Sequence, residues 1–245
     1  MANKITIASG KGGVGKSTVT AGLGKCFASR GVKTLVVDCD AGLPCLDTLL
    51  SCSERVNFSW LDAMLERCTA KECVLTLSEN IALLPAPKNA IREDFDEDSF
   101  SEVISELENE YDIILFDAPA GLGRGLLRAA SASDNALIIA TADEVSVLGA
   151  AALDSLLISL GISQIRLLIN KYEIKAAKKT KLLTIDEIIQ KTAVQLIGIV
   201  PEDKNLVYSG ISPKKLKTAK SDEAFSRISR RIQGENVGLN LSQLK

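Results

Sequence analysis

The sequence contains no histidine. That removes imidazole acid–base catalysis and every histidine-ligated metal site. Aromatic residues make up only 4% of the 245 positions. So few rings suit a core packed from Ala, Ile, Leu and Val better than an aromatic binding surface. No apolar run approaches the roughly 20 residues that a membrane-crossing helix needs. Charge of one sign is also missing. The formal net charge is −2, so no global field draws the chain to nucleic acid or to an anionic bilayer, although a local basic patch still would. Cysteine stops early: the six thiols are Cys26, Cys39, Cys45, Cys52, Cys68 and Cys73. None forms a C-x-x-C pair, and the spacing suits neither zinc nor an iron–sulfur cluster. Met1 leads straight into a strand pattern with no leader. The thiols are therefore read as reduced and the chain as cytoplasmic. There is no repeat, linker or low-complexity segment.

What is present is enough for a large core, with 46% hydrophobic and 24% charged residues. The length suits one α/β domain over residues 1–235, followed by a tail over 236–245. Continuous apolar runs at 4–9, 33–38, 80–85, 111–117, 135–141, 165–170 and 194–200 read as buried strands. Helical patterns at 17–30, 60–67, 98–110, 144–160, 184–191 and 221–232 separate or follow them. In the third of these, Phe100, Val103, Ile104 and Leu107 share one face. Such alternation implies a doubly wound, mostly parallel sheet with helices on both faces, and a ligand at the C-terminal strand edge. Glu93 to Asp98 reads as a solvated acidic loop and helix start. Lys175 to Lys181 reads as a solvated basic loop or a contact surface.

Residues 10–17 read Gly-Lys-Gly-Gly-Val-Gly-Lys-Ser. This is the phosphate-loop pattern, with a strand before it and a helix after it as the pattern requires. Gly10, Gly12, Gly13 and Gly15 have no Cβ, so the backbone around Val14 can curl and turn successive N–H groups toward an anion. Lys16 supplies charge to the β- and γ-phosphates of a bound nucleotide. Ser17 offers a hydroxyl to Mg²⁺, and Ser17 and Thr18 open a helix whose positive end faces the phosphate. Two further apolar strands end in acids, at Asp38 and Asp117. An acid in that place matches a metal-side carboxylate, or caps the next helix. Lys11 has no duty in an ordinary phosphate loop, and on residue type alone it is a solvated lysine.

The segment Lys-Gly-Gly-Val-Gly-Lys-Ser resembles the deviant phosphate loop of the MinD/ParA family. There the first lysine crosses a dimer interface to touch the partner's phosphates. Further matches follow in order from residue 3 to about 235. Asp38-Cys39-Asp40-Ala41-Gly42-Leu43-Pro44-Cys45-Leu46-Asp47 is similar to switch I of the MinD branch, and Asp117-Ala118-Pro119-Ala120-Gly121 to its switch II. Ile169-Asn170-Lys171-Tyr172 resembles the segment whose asparagine reads adenine, and Gly198-Ile199-Val200-Pro201-Glu202-Asp203 its adenine-side loop.

The resemblance implies an ATPase that dimerises when ATP is bound and acts in placing the division site. It implies Lys11 acting in trans and Asp40 orienting or activating the attacking water. Ser17, Asp38 and Asp117 then fall on the Mg²⁺ side, and Asn170, Pro201, Glu202 and Asp203 around adenine. It also implies a MinC-like inhibitor, a MinE-like activator and reversible membrane association. Two places depart from the pattern: Pro44-Cys45, commonly Arg-Asn, and Ala150, commonly Asp. Both bear on partner contacts in the family, so the resemblance carries ATP chemistry further than partner binding. The segment after Ile232, with Gly234 and Gly238, lacks the expected basic anchor helix. A ParA-like DNA-segregation ATPase would share the fold but need a basic face, which the net charge does not favour. An iron–sulfur member would need a cysteine soon after Asp117. A metabolic kinase would leave Lys11 without a role.

Overall fold

The computed structural model describes residues 2–88, 96–173, 182–203 and 220–239. The basic run 175–181 and residues 93–95 of the acidic stretch lie outside them, as does the tail beyond Leu239. The strands are β1 Asn3–Ala8, β2 Thr34–Asp38, β3 Leu75–Ser78, β4 Ile81–Leu84, β5 Ile113–Asp117, β6 Asn135–Ala140, β7 Gln164–Tyr172 and β8 Leu196–Pro201. They form one sheet in the order β3-β4-β2-β5-β1-β6-β7-β8. Every pairing is parallel except β3 with β4.

The helices among the described residues are α1 Lys16–Ser29, α2 Leu46–Leu49, α3 Trp60–Met64, α4 Ala70–Cys73, α5 Glu97–Leu107, α6 Arg124–Ser131, α7 Glu144–Ser159, α8 Ile185–Thr192 and α9 Lys220–Ile232. Strand alternation sorts them onto two faces. On one face Ile5, Ile7, Ile113 and Leu115 pack with Val19, Leu23 and Phe27 of α1 and with Phe225 and Ile228 of α9. On the other, Leu35, Val37, Ile114 and Phe116 pack with Phe100 and Ile104 of α5, Leu126 of α6 and Val147 and Leu153 of α7. The doubly wound parallel sheet read from the sequence is the one observed.

Four elements were not read from the sequence. Strand β3 is a four-residue edge with only half-buried side chains on one face. Helices α2 and α4 have four residues each, too short for periodicity to show. Helix α6 follows Gly121-Leu122-Gly123, a stretch that reads as loop. Helix α5 also ends earlier than expected, at Leu107, and tightens into a 3₁₀ turn over Glu108–Glu110. Asp96, the described end of the acidic stretch, accepts from Ser99 N and caps α5. No helix among the described residues is long and apolar enough to cross a membrane.

Three of the ten aromatic residues cluster beneath one loop. Trp60 packs edge-on to Phe100 at 5.5 Å, and Phe100 to Phe116 at 6.3 Å. The Trp60 indole donates to the Asp38 carbonyl at 2.8 Å, and the Arg128 guanidinium lies 4.8 Å above its ring. The end of β2 is thus bolted to a rigid apolar block.

Candidate functional site

Strand β1 is central, and the chain leaves its two sides in opposite directions: through α1 to β2, and from β5 through α6 to β6. The crevice at such a switch point is where ligands bind in α/β sheets. The loop at the end of β1 carries residues 9–15. Gly13 and Gly15 adopt φ of +78° and +88°, left-handed conformations that favour glycine. A Cβ on Gly15 would also meet the Asn170 amide nitrogen at 2.5 Å, and one on Gly10 the Gly149 backbone at 2.5 Å. Val14 is buried against the α1 face. Gly12 has open space around it.

The parallel register sets Asp117 beside both Ile7 and Asp38. Lys16 Nζ donates to Asp117 Oδ1 at 2.9 Å, with the two side chains 8% and 0% exposed. Thr20 Oγ1, one turn along α1, donates to the same oxygen at 3.0 Å. Asp117 Oδ2 is buried and has no hydrogen-bond partner among the described residues. An orphaned carboxylate oxygen in an apolar setting calls for a cation or its water. With the Ser17 hydroxyl in the same cleft, the donors are the hard oxygens that Mg²⁺ takes.

Asp38 has a second task. Its Oδ1 accepts from Asp40 N, and its Oδ2 from both Cys45 N and Leu46 N, each at 3.0 Å. One buried carboxylate therefore shapes the whole loop from 40 to 46. Burial, then the charge of Asp117, pushes its pKa up to about 6 against the pull of those three amides. Because the folded value lies above the free one, the stability that this group contributes is complete below about pH 4 and lost as the pH rises through 6. The two-unit shift corresponds to about 3 kcal/mol. Asp38→Asn should flatten that part of the stability profile, so melts of both proteins between pH 4 and 7.5 should converge at the acid end and diverge at the neutral end. Parallel curves would refute the assignment.

The cleft is about 480 Å³ and is lined by Ser9, Gly13 to Thr18, Asp40, Pro44, Cys45 and Ala120, among others. Burial raises the pKa of Asp40, opposed by the charge of Lys16. A smaller cavity of about 130 Å³ adjoins at Gly15 and Thr18. Asn170, Lys171, Val200, Pro201, Glu202, Asp203 and Phe225 line it. All the residues read from the sequence as nucleotide-binding thus meet around these two connected spaces, Gly10 and Gly12 through the loop they belong to. Two of them also have structural work here. Asn170 Nδ2 donates to the Val14 carbonyl at 2.8 Å, and Asp203 Oδ2 accepts from Ser221 N and Oγ at the start of α9.

Lys11 is not in the cleft. Its Nζ donates to Asp143 Oδ1 at 2.9 Å, at the N-cap of α7. Sequence reasoning missed Asp143, Thr20 and Lys171. The last adopts φ +55° and donates its Nζ to the Gly13 carbonyl at 3.0 Å. No local pattern marks these three, because each finds its charged or carbonyl partner across the sheet only through the topology.

The AAA domain family model matches residues 2–166. A septum site-determining protein MinD of Synechocystis sp. is 30% identical over 95% of this chain and 90% of its own length. Among solved structures, a chain of the MinC:MinD cell division protein complex of Aquifex aeolicus superposes with TM-score 0.86 at 29% identity, covering 98% of each chain. A septum site-determining MinD from Pyrococcus horikoshii, complexed with Mg-ADP, superposes at 0.80 with 25% identity over 95% of this chain and 96% of that one. With the phosphate loop and the two strand-end acids in one crevice, this likeness over nearly the whole length identifies the chain as a member of the MinD family of septum site-determining proteins.

Proposed function

We propose that the chain hydrolyses ATP slowly and uses the nucleotide state to switch between monomer and dimer. The loop amides and Lys16 would hold the phosphates, and Ser17 and Asp117 would hold Mg²⁺, with Asp38 setting the loop behind them. Bound magnesium would neutralise part of the phosphate charge. Asn170, committed to the loop through its nitrogen, would accept the adenine amine on its oxygen, with Pro201, Glu202 and Asp203 closing that side. Asp40 would orient the attacking water. Lys16 would stabilise the charge that spreads over the γ-phosphoryl oxygens as the bond to the β-phosphate loosens. Catalysis is then positioning and electrostatics, with no covalent intermediate on the protein.

The observation that carries the switch reading is the outward placement of Lys11. A cation on the phosphate loop that stands outside its own cleft is available to a second subunit's nucleotide. A MinC-like inhibitor, a MinE-like activator and a membrane surface are the partners this reading implies, and division-site placement is the process. Asp40→Ala tests it. The variant keeps every phosphate-binding group, so it should bind Mg-ATP, lose at least about a hundredfold in turnover and accumulate as a dimer. Light scattering with phosphate release is the measurement. A variant that remains monomeric at saturating ATP would remove the case for a switch.

A further inference from the structure

We infer that Asp143 competes in cis for Lys11, holding the lysine in the monomer and releasing it only when a second subunit's nucleotide comes within reach. The inference rests on the trans role proposed for Lys11 and adds its regulation.

Asp143 is a prepared docking point. Its Oδ1 accepts from Ser146 N at 3.1 Å as the cap of α7, and its Oδ2 accepts from Thr141 Oγ1 at 2.6 Å. The Ser146 hydroxyl in turn accepts from Thr141 N. The carboxylate is therefore fixed before Lys11 arrives. Burial raises its pKa, but the bonds from Thr141, Lys11 and Ser146 outweigh that and keep it charged. A helix cap needs only an oxygen acceptor, and Asn or Ser caps as well as Asp. The negative charge is thus surplus to the cap, and the ammonium of Lys11 is what uses it. Contact between Gly10 and Gly149 keeps the loop against α7, so the lysine needs little reach.

The pair also has the strength of a latch rather than of a strut. Its side chains are 41% and 32% exposed, whereas the structural pair Lys16–Asp117 is almost closed to solvent. A pair that solvent reaches is weak and exchangeable. A polyphosphate carries more negative oxygens than one carboxylate and takes the lysine when it is near. Val145 and Leu148, on the first turns of the same helix, are 65% and 64% exposed, so the latch stands beside apolar surface that an approaching copy would cover. Opening it is a cost set against dimerisation, and the carboxylate raises the threshold at which ATP drives the dimer.

The test is free of hydrolysis if made in the Asp40→Ala background. Asp143→Asn and Asp143→Ser both keep a cap and remove the charge. An exchangeable pair holds its partner by a factor of about two to five, and two latches open per dimer, so the dimer dissociation constant in Mg-ATP should fall about four- to twenty-five-fold in either variant. Analytical ultracentrifugation across a protein dilution series reads it. The gain should vanish when Lys11→Ala is added. Two folded variants with unchanged or weaker dimerisation would overturn the latch. If Lys11→Ala alone abolishes the dimer at the same time, the trans role stands and only the latch fails. If Lys11→Ala dimerises normally, both fail.

Discussion

Lys16→Ala should abolish Mg-ATP binding and cost the nucleotide-free fold about 3–5 kcal/mol. The two effects have separate causes. Binding is lost because the phosphate oxygens enter a cleft whose one buried cation is gone. Stability is lost because Asp117 has no exposure and its other oxygen already lacks a donor. Removing Lys16 leaves a buried carboxylate with only the Thr20 hydroxyl. For a chain of this size the melting temperature should drop by roughly 10 °C. Adding Asp117→Asn separates the two effects. Neutralising the stranded charge should restore much of the stability, whereas ATP binding should remain absent. Calorimetric titration and thermal melts of the single and double variants check both. Unimpaired binding by Lys16→Ala would refute the phosphate-loop assignment, and an unchanged melting temperature would refute the buried-pair account.

Lys11→Ala is expected to have the opposite profile. Its partner in the monomer is a half-exposed carboxylate, so the fold should lose at most about 1 kcal/mol. The Lys16 side of the cleft is untouched, so ATP should still bind. Dimerisation should fail, because two polyphosphates would face each other across the interface without the cations that separate them. Truncating one member of a buried charge pair at an interface costs about 2–5 kcal/mol. With two equivalent lysines per dimer, the dissociation constant should rise by at least a thousandfold. Light scattering and isothermal titration with Mg-ATP would show a monomer that binds nucleotide. A Lys11→Ala protein that dimerises like the parent would refute the role of Lys11 across the interface.

The contrast between the two lysines shows what could be read from the chain itself. Both were assigned roles from an eight-residue motif, and the structure gives them unlike surroundings. Lys16 is sealed against Asp117, and Lys11 is tethered to the start of α7. The motif located the phosphate cradle, since its glycines and its flanking strand and helix are contiguous. Asp38 and Asp117 were also legible, as acids ending apolar runs. The grip of Asp38 on three loop amides was not, because it depends on how residues 40–46 fold back over the strand end. The bond by which Asn170 anchors the loop at the Val14 carbonyl was equally hidden. So was the aromatic block under Asp38, whose three rings come from residues 60, 100 and 116.

By itself the sequence determined the parallel, doubly wound sheet, the phosphate loop at the end of β1 and the two acids beside it. Those features follow from strand periodicity, glycine conformational freedom and contiguous motif chemistry, which act over a few residues. Only the tertiary structure decided which charges meet. Thr20 reaches Asp117, Lys171 reaches Gly13 and Lys11 reaches Asp143 across 97, 158 and 132 positions of chain. Strand order brings these partners together, and the strand order is set by crossovers that bury both faces of the sheet at once.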